Sequence, residues 1–245
     1  YPEGSWVKYE YDSKGRFIKE VRPFVNSEMS APDSEHKVTL YSYEPVDPSQ
    51  DYGNERPDAM RHLTVSLQGQ MVEEQFWIIS PNTTQHIRSA VPGSAWNQSG
   101  HLVTLERTGA SGFNRAKLVY SKASDGTVTL IQREALGNGG NLITTYRGEP
   151  NADESAIVRG TKTVEHLDSD ELWLERSVFD IESGLCIERE TVAERDAQKR
   201  VIHQTYLDGT SERRVYGCCG LEKEINRQGV VTEYTYDELK RVEFT

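Results

Sequence analysis

The sequence predicts an all-β protein: antiparallel β-hairpin repeats joined into one continuous sheet. Three observations carry that expectation. Within residues 231–236, Thr232, Tyr234 and Tyr236 fall on one face and Val231, Glu233 and Thr235 on the other, the period of two that a strand requires. Strand and turn signals alternate along the whole chain at hairpin spacing. One frame, a glycine followed seven residues later by a tyrosine, occurs at Gly4 and Tyr11, at Gly209 and Tyr216, and at Gly229 and Tyr236.

Taken in order, residues 6–11 alternate as a strand, 13–15 turn at Gly15, and 17–21 return. Pro23, Pro32, Pro45, Pro48 and Pro57 then punctuate a polar stretch, and 44–60 is the expected long loop. Residues 38–43 are β-branched and aromatic enough for a strand. Residues 62–68 put Leu63, Val65 and Leu67 on one face, and 71–79 form a longer strand stopped by Ser80-Pro81-Asn82. A loop at 91–100 precedes a strand at 101–107. Residues 116–120 and 127–133 are expected to pair across Ser124-Asp125-Gly126. Gly137 to Gly140 leads into a strand at 142–147, a polar loop at 148–156, and strands near 161–167, 171–179 and 185–192. The segment 188–200 is full of helix formers, yet Asp196 to Val201 fits the turn frame below, so a hairpin is expected there.

The frame is longer than glycine and tyrosine. Gly229-Val-Val-Thr232-Glu-Tyr234-Thr-Tyr236-Asp237-Glu-Leu-Lys240-Arg241-Val242 lines up with Gly4-Ser-Trp-Val7-Lys-Tyr9-Glu-Tyr11-Asp12-Ser-Lys-Gly15-Arg16-Phe17. This resembles the YD repeat of the RHS family, roughly Gly-x-x-Thr-x-Tyr-x-Tyr-Asp-x-x-Gly-Arg-Leu/Val, with departures at Lys240, Val7 and Phe17. Weaker copies are Phe179-Asp180 with Ser183-Gly184-Leu185, Asp196 with Lys199-Arg200-Val201, and Tyr216-Gly217. The motif divides the chain into a YD-like hairpin at 1–26, a β region without clear copies at 27–171, and degenerate repeats at 172–245. It singles out Gly4, Tyr9, Tyr11, Asp12, Gly15, Arg16, Gly209, Tyr216, Gly229, Tyr234, Tyr236, Asp237 and Arg241 as structural residues. The resemblance implies repeats that wind into a β-sheet spiral, often a hollow shell around a toxic C-terminal polypeptide. It implies a bacterial exported or surface protein whose partners are other repeats and the C-terminal region of the same longer polypeptide, with the export signal outside this stretch. Within each copy the aspartate is expected to close the turn on its own backbone amides. The tyrosine is expected to lie over the preceding repeat with its hydroxyl on water or backbone. The arginine is expected to pair with a neighbouring repeat's acid.

Composition narrows the function. A net charge of −11 and a pI near 5.1 argue against nucleic acid or an anionic membrane, which call for a basic surface. No apolar run reaches bilayer length, so no membrane insertion is expected. Cys186, Cys218 and Cys219 show no Cys-x-x-Cys spacing, so zinc is not expected; Cys186 is either bridged to one of the pair or all are free thiols. The histidines (36, 62, 86, 101, 166, 203) are scattered, no Gly-x-Ser-x-Gly occurs, and Glu73 and Glu74 point to opposite faces. No enzyme, catalytic residue, metal or cofactor is expected. The expectation is a non-catalytic wall segment. The alternative is a carbohydrate-binding or adhesive module, with Trp96 in its Gly/Ser/Pro loop as an exposed platform for glycans and Trp6, Trp77 and Trp173 in the sheet.

Overall fold

The computed structural model describes residues 6–25, 27–47, 49, 57–218 and 220–243. The chain is all-β: among these residues there is no α-helix, only the 3-10 turns Asp33–Glu35 and Gly112–Asn114. It follows that no helix there is long and apolar enough to cross a membrane. Seventeen strands lie in antiparallel ladders and two more form a separate pair. The chain forms two compact units, Tyr1–Gly126 and Thr127–Thr245. The repeat-defined segments 1–26, 27–171 and 172–245 are a division by motif and run across that boundary.

The first unit holds β1 (Lys8–Tyr11), β2 (Phe17–Pro23), β3 (His36–Ser42), β4 (His62–Leu67), β5 (Gln70–Ser80), β6 (Thr83–Arg88), β7 (Leu102–Thr108) and β8 (Leu118–Lys122). Each pairs antiparallel with the next. Its core sits on one face of β5 and β6, where Phe76 and Ile87 are cross-strand partners and Ile78 lies alongside. Strand β6 was not singled out in the sequence; its Thr83-Thr84-Gln85-His86 start is polar, and only Ile87 is fully buried. The loop expected at 44–60 carries no strand at its described positions, while 48 and 50–56 lie outside the described residues.

The second unit holds β9 (Val128–Ala135), β10 (Asn141–Pro150), β11 (Ile157–Leu167), β12 (Trp173–Asp180), β13 (Cys186–Arg195), β14 (Val201–Tyr206), β15 (Ser211–Tyr216), β16 (Leu221–Ile225), β17 (Val231–Glu233), β18 (Thr235–Tyr236) and β19 (Val242–Glu243). Strands β9 to β17 again pair in chain order, and β18 pairs with β19. The polar loop expected at 148–156 is shorter: β10 runs through Pro150, and the connection is 151–156. The helix-forming stretch 188–200 is strand and turn, because β13 is held on both sides by β12 and β14. The expected pairing of 116–120 with 127–133 spans the boundary between the units.

Burial in this second unit is sparse, with Val128, Ile157 and Val178 its buried apolar side chains among the described residues. Both faces of the sheet are ionic instead. On β12 and β13, Arg176 binds Glu188 at 3.1 Å on one face, and the adjacent Arg189 faces Glu175 at 3.6 Å on the other. On β15 to β17, Arg214 binds Glu224 at 3.1 Å, and Lys223 on the opposite face binds Glu233 at 3.0 Å. Such a strand buries neither face deeply, so its order must come from cross-strand pairs and turns.

Candidate functional site: the aspartate-closed turns

Seven hairpin turns among the described residues share one backbone frame. Residue i donates its N–H to the carbonyl of i+4, and residue i+3 donates back to the carbonyl of i. This holds with i at Asp12, Leu136, Asp168, Asp196, Tyr206, Asn226 and Asp237, at 2.8–3.1 Å. Residue i+3 is left-handed in all seven: Gly15, Gly139, Glu171, Lys199, Gly209, Gly229 and Lys240 have φ between 62° and 85°. This is the three-residue hairpin loop, a turn closed by one left-handed residue, and it explains the Gly or Lys that precedes the arginine in the motif.

At Asp12, Asp196 and Asp237 the side chain completes the loop. The Oδ1 atom accepts the N–H of i+2 at 2.8, 2.9 and 2.9 Å and the N–H of i+4 at 2.9, 2.9 and 2.8 Å. Oδ2 accepts Nε of Arg16, Arg200 or Arg241 at 2.7, 2.6 and 2.7 Å. The aspartate therefore does close the turn on its own amides. The arginine does not pair with a neighbouring repeat's acid as expected, but with its own aspartate. The loop is so tight that i and i+4 are cross-strand partners, so the nearest carboxylate to the guanidinium is the turn's own. Asp168 and Asn226 make the same two amide bonds without an arginine, at 2.8 and 3.0 Å and at 3.0 and 2.9 Å. The sequence reading missed both; an Asp or Asn five residues before the start of a strand was the available signal.

Electrostatics follow the geometry. At Asp12 and Asp196 burial pushes the carboxyl pKa up, but the i+4 amide, the guanidinium and the i+2 amide together hold it below the usual range. At Asp237 the Arg241 amide is the largest cause of the same lowering. In the turn after β14, Asp208 is held at about 2 by the Thr210 hydroxyl first, then by the Thr210 amide and Arg227. All four are carboxylates that the fold keeps ionised.

Contacts between turns are carried by a lysine and by the faces of arginines. Turns that follow alternate strands lie on one side of a meander, and there they touch. Lys199 reaches Asp170 at 2.8 Å. The Arg200 guanidinium, while bound to Asp196, lies 4.1 Å over the Tyr216 ring. On the other side, Arg227 lies 4.1 Å over Tyr206 and bonds Asp208 at 2.7 Å and Thr210 at 2.9 Å. In the first unit Arg16 lies 4.4 Å over Tyr43 and donates to the Pro57 carbonyl at 2.8 Å. Arg16 and Arg200 thus use the guanidinium edge to lock their own turn and its face to hold a tyrosine beyond it, as a planar cation can.

The remaining sequence-derived residues are placed as follows. Gly4 lies outside the described residues, as does Cys219. Gly209 and Gly229 are the left-handed residues of their turns, at φ 79° and 77°. Tyr236 donates its hydroxyl to the Leu221 carbonyl at 2.9 Å; Tyr234 is half-buried, and Tyr9 and Tyr11 are exposed. Trp96, expected as a free platform, packs instead on the Phe76, Ile78 and Ile87 core, half-buried. Its loop is pulled inward because buried Glu74 accepts the Gly93 N–H at 2.6 Å and bonds His62 at 2.9 Å. Glu73 is on the opposite face, as expected, and approaches Arg88. Cys186 is a free thiol. No group of three or more potential metal ligands gathers among the described residues. No protein-family model matches this chain, and no curated protein sequence matches it either.

Proposed function

We propose that this chain is a wall: a non-catalytic structural segment of an exported or surface RHS/YD-type repeat protein, wound with its neighbouring repeats into a β-sheet shell around a C-terminal effector. The observation that supports this most is the recurrence of one turn. Asp12, Asp196 and Asp237 rebuild the same bonds at three places in the chain, and Arg16 and Arg200 each also stack on a tyrosine beyond their own turn. In the second unit, a sheet that carries ion pairs on both faces and buries few apolar side chains suits a wall with water on either side. The carbohydrate reading loses its best platform, since Trp96 is packed on the core. Cryo-electron microscopy of the full-length gene product tests the proposal. A hollow β shell with density inside is the expected result. A solid β domain without an interior, or turnover of any substrate in a hydrolase and transferase panel, overturns it.

A further inference from the structure

Among the described residues, the first and last tyrosine hairpins are one object in two states of coverage. Both close with the same aspartate–arginine turn, and their registers agree: Tyr11 pairs with Phe17 and Tyr236 with Val242. The alignment that sets Tyr236 on Tyr11 also sets Tyr234 on Tyr9 and Glu233 on Lys8. In the last hairpin a strand lies against this edge. Strand β16 pairs with β17 through Lys223 and Glu233, and the Tyr234 N–H donates to the Glu222 carbonyl at 2.9 Å. The Tyr236 hydroxyl donates to Leu221, and its ring covers Gly220 so closely that a Cβ there would sit 2.6 Å from the phenol oxygen. In the first hairpin, β1 pairs with β2, and Tyr9 and Tyr11 are 46% and 60% exposed.

We propose that the outer edge of β1 is an interaction edge for an antiparallel strand that begins on a glycine and carries an acidic residue opposite Lys8; the inference rests on the repeat-array reading above. The internal joint supplies the template. The glycine gives the Tyr11 ring a flat seat, the next carbonyl accepts its hydroxyl, and the edge amides of β1 gain partners. Charge then selects the strand. At the covered joint Lys223 faces Glu233 at 3.0 Å, but on β1 the aligned residue is Lys8, so the facing residue must change sign. Lys8 is free to turn outward, because Glu10, its present partner at 3.3 Å, is also held by Lys19 at 3.1 Å. Strand β16 itself, with lysine at that position, is the wrong occupant, which makes the edge selective rather than merely sticky.

Synthetic peptides of residues 220–226 test this against the intact chain by hydrogen exchange and titration. The peptide carrying Lys223→Glu should slow exchange at residues 8–11. The unaltered lysine peptide should bind about five-fold more weakly, and a Gly220→Val version of the glutamate peptide should not bind. Tyr11→Phe in the protein, a conservative change at an exposed ring, should weaken the glutamate peptide several-fold. No protection of residues 8–11 at about 1 mM glutamate peptide, equal binding of all three peptides, or indifference to Tyr11→Phe overturns the proposal. A failed peptide with a hollow shell in the micrographs defeats the joint alone. A solid particle defeats the wall reading, whatever the peptides do.

Discussion

A carboxylate that accepts two backbone N–H groups and a guanidinium can lose either service separately, and the chain has already made one of the substitutions. Asn226 keeps both amide bonds with no carboxylate. Asp196→Asn should therefore lower the melting temperature only slightly, through Arg200, whereas Asp196→Ala should lower it more by leaving the Gln198 and Arg200 amides without their acceptor. Equal melting temperatures for the two variants would show that the amide bonds do not matter. The acid limb of stability has a defined sign. Asp208 titrates near 2 in the folded chain against an ordinary 3.8, so its contribution is complete above about pH 4 and is lost as pH falls toward about 2. Melts over that range should fall more steeply for the wild type than for Asp208→Asn, and parallel slopes would contradict the assignment. At this scale the aspartate was readable from sequence, since a side chain bonding amides two and four residues on is local chemistry. The arginine's partner and the inward pull on Trp96 were not. Each depends on how tightly a loop closes, or on a buried glutamate 22 residues away in sequence.

At the scale of the element, two positions show what a turn and a ladder demand of the backbone. Glu171 is a left-handed residue at φ 62° in a frame that uses glycine at four of its seven occurrences. Relief of about 1–2 kcal/mol of left-handed strain, less about 0.5–1 kcal/mol of added chain entropy, predicts that Glu171→Gly stabilises by roughly 0.5–1 kcal/mol. Urea denaturation checks it, and a loss of stability would mean that the side chain has a role of its own. Gly148 and Gly160 are direct partners on β10 and β11, and a Cβ on either would lie 2.0 or 2.1 Å from a backbone carbonyl oxygen. Alanine at either should destabilise by more than about 3 kcal/mol; a wild-type melt for Gly148→Ala would refute the close approach. Strand existence was largely legible because alternation and turn residues are local signals. Boundaries were less so: β10 extends past Gly148, which reads as loop in sequence, because glycine there permits close strand approach.

At the scale of the molecule, the sequence revealed the class but not where the core sits. Apolar residues in the first unit look no denser than elsewhere until the ladder sets Phe76 opposite Ile87. Ile87 is 2% exposed within that cluster, so Ile87→Ala should cost about 2–5 kcal/mol. Val178→Ala, in the thinly buried second unit, should cost less. The reverse order in urea titrations would mean that the second unit is held by packing rather than by its turns and ion pairs.

Strands that pair only with their sequence neighbours have a consequence for birth as well as for stability. Within each unit every ladder joins a strand to the one made immediately before it, so no segment has to wait for a distant one. Loop-closure entropy stays small at each step, unlike the long returns of a Greek key. As the chain leaves the ribosome, each tight turn can bring the newest strand onto an edge already formed. That edge is open only until the next dozen or so residues arrive, a brief exposure for a β protein otherwise prone to aggregate.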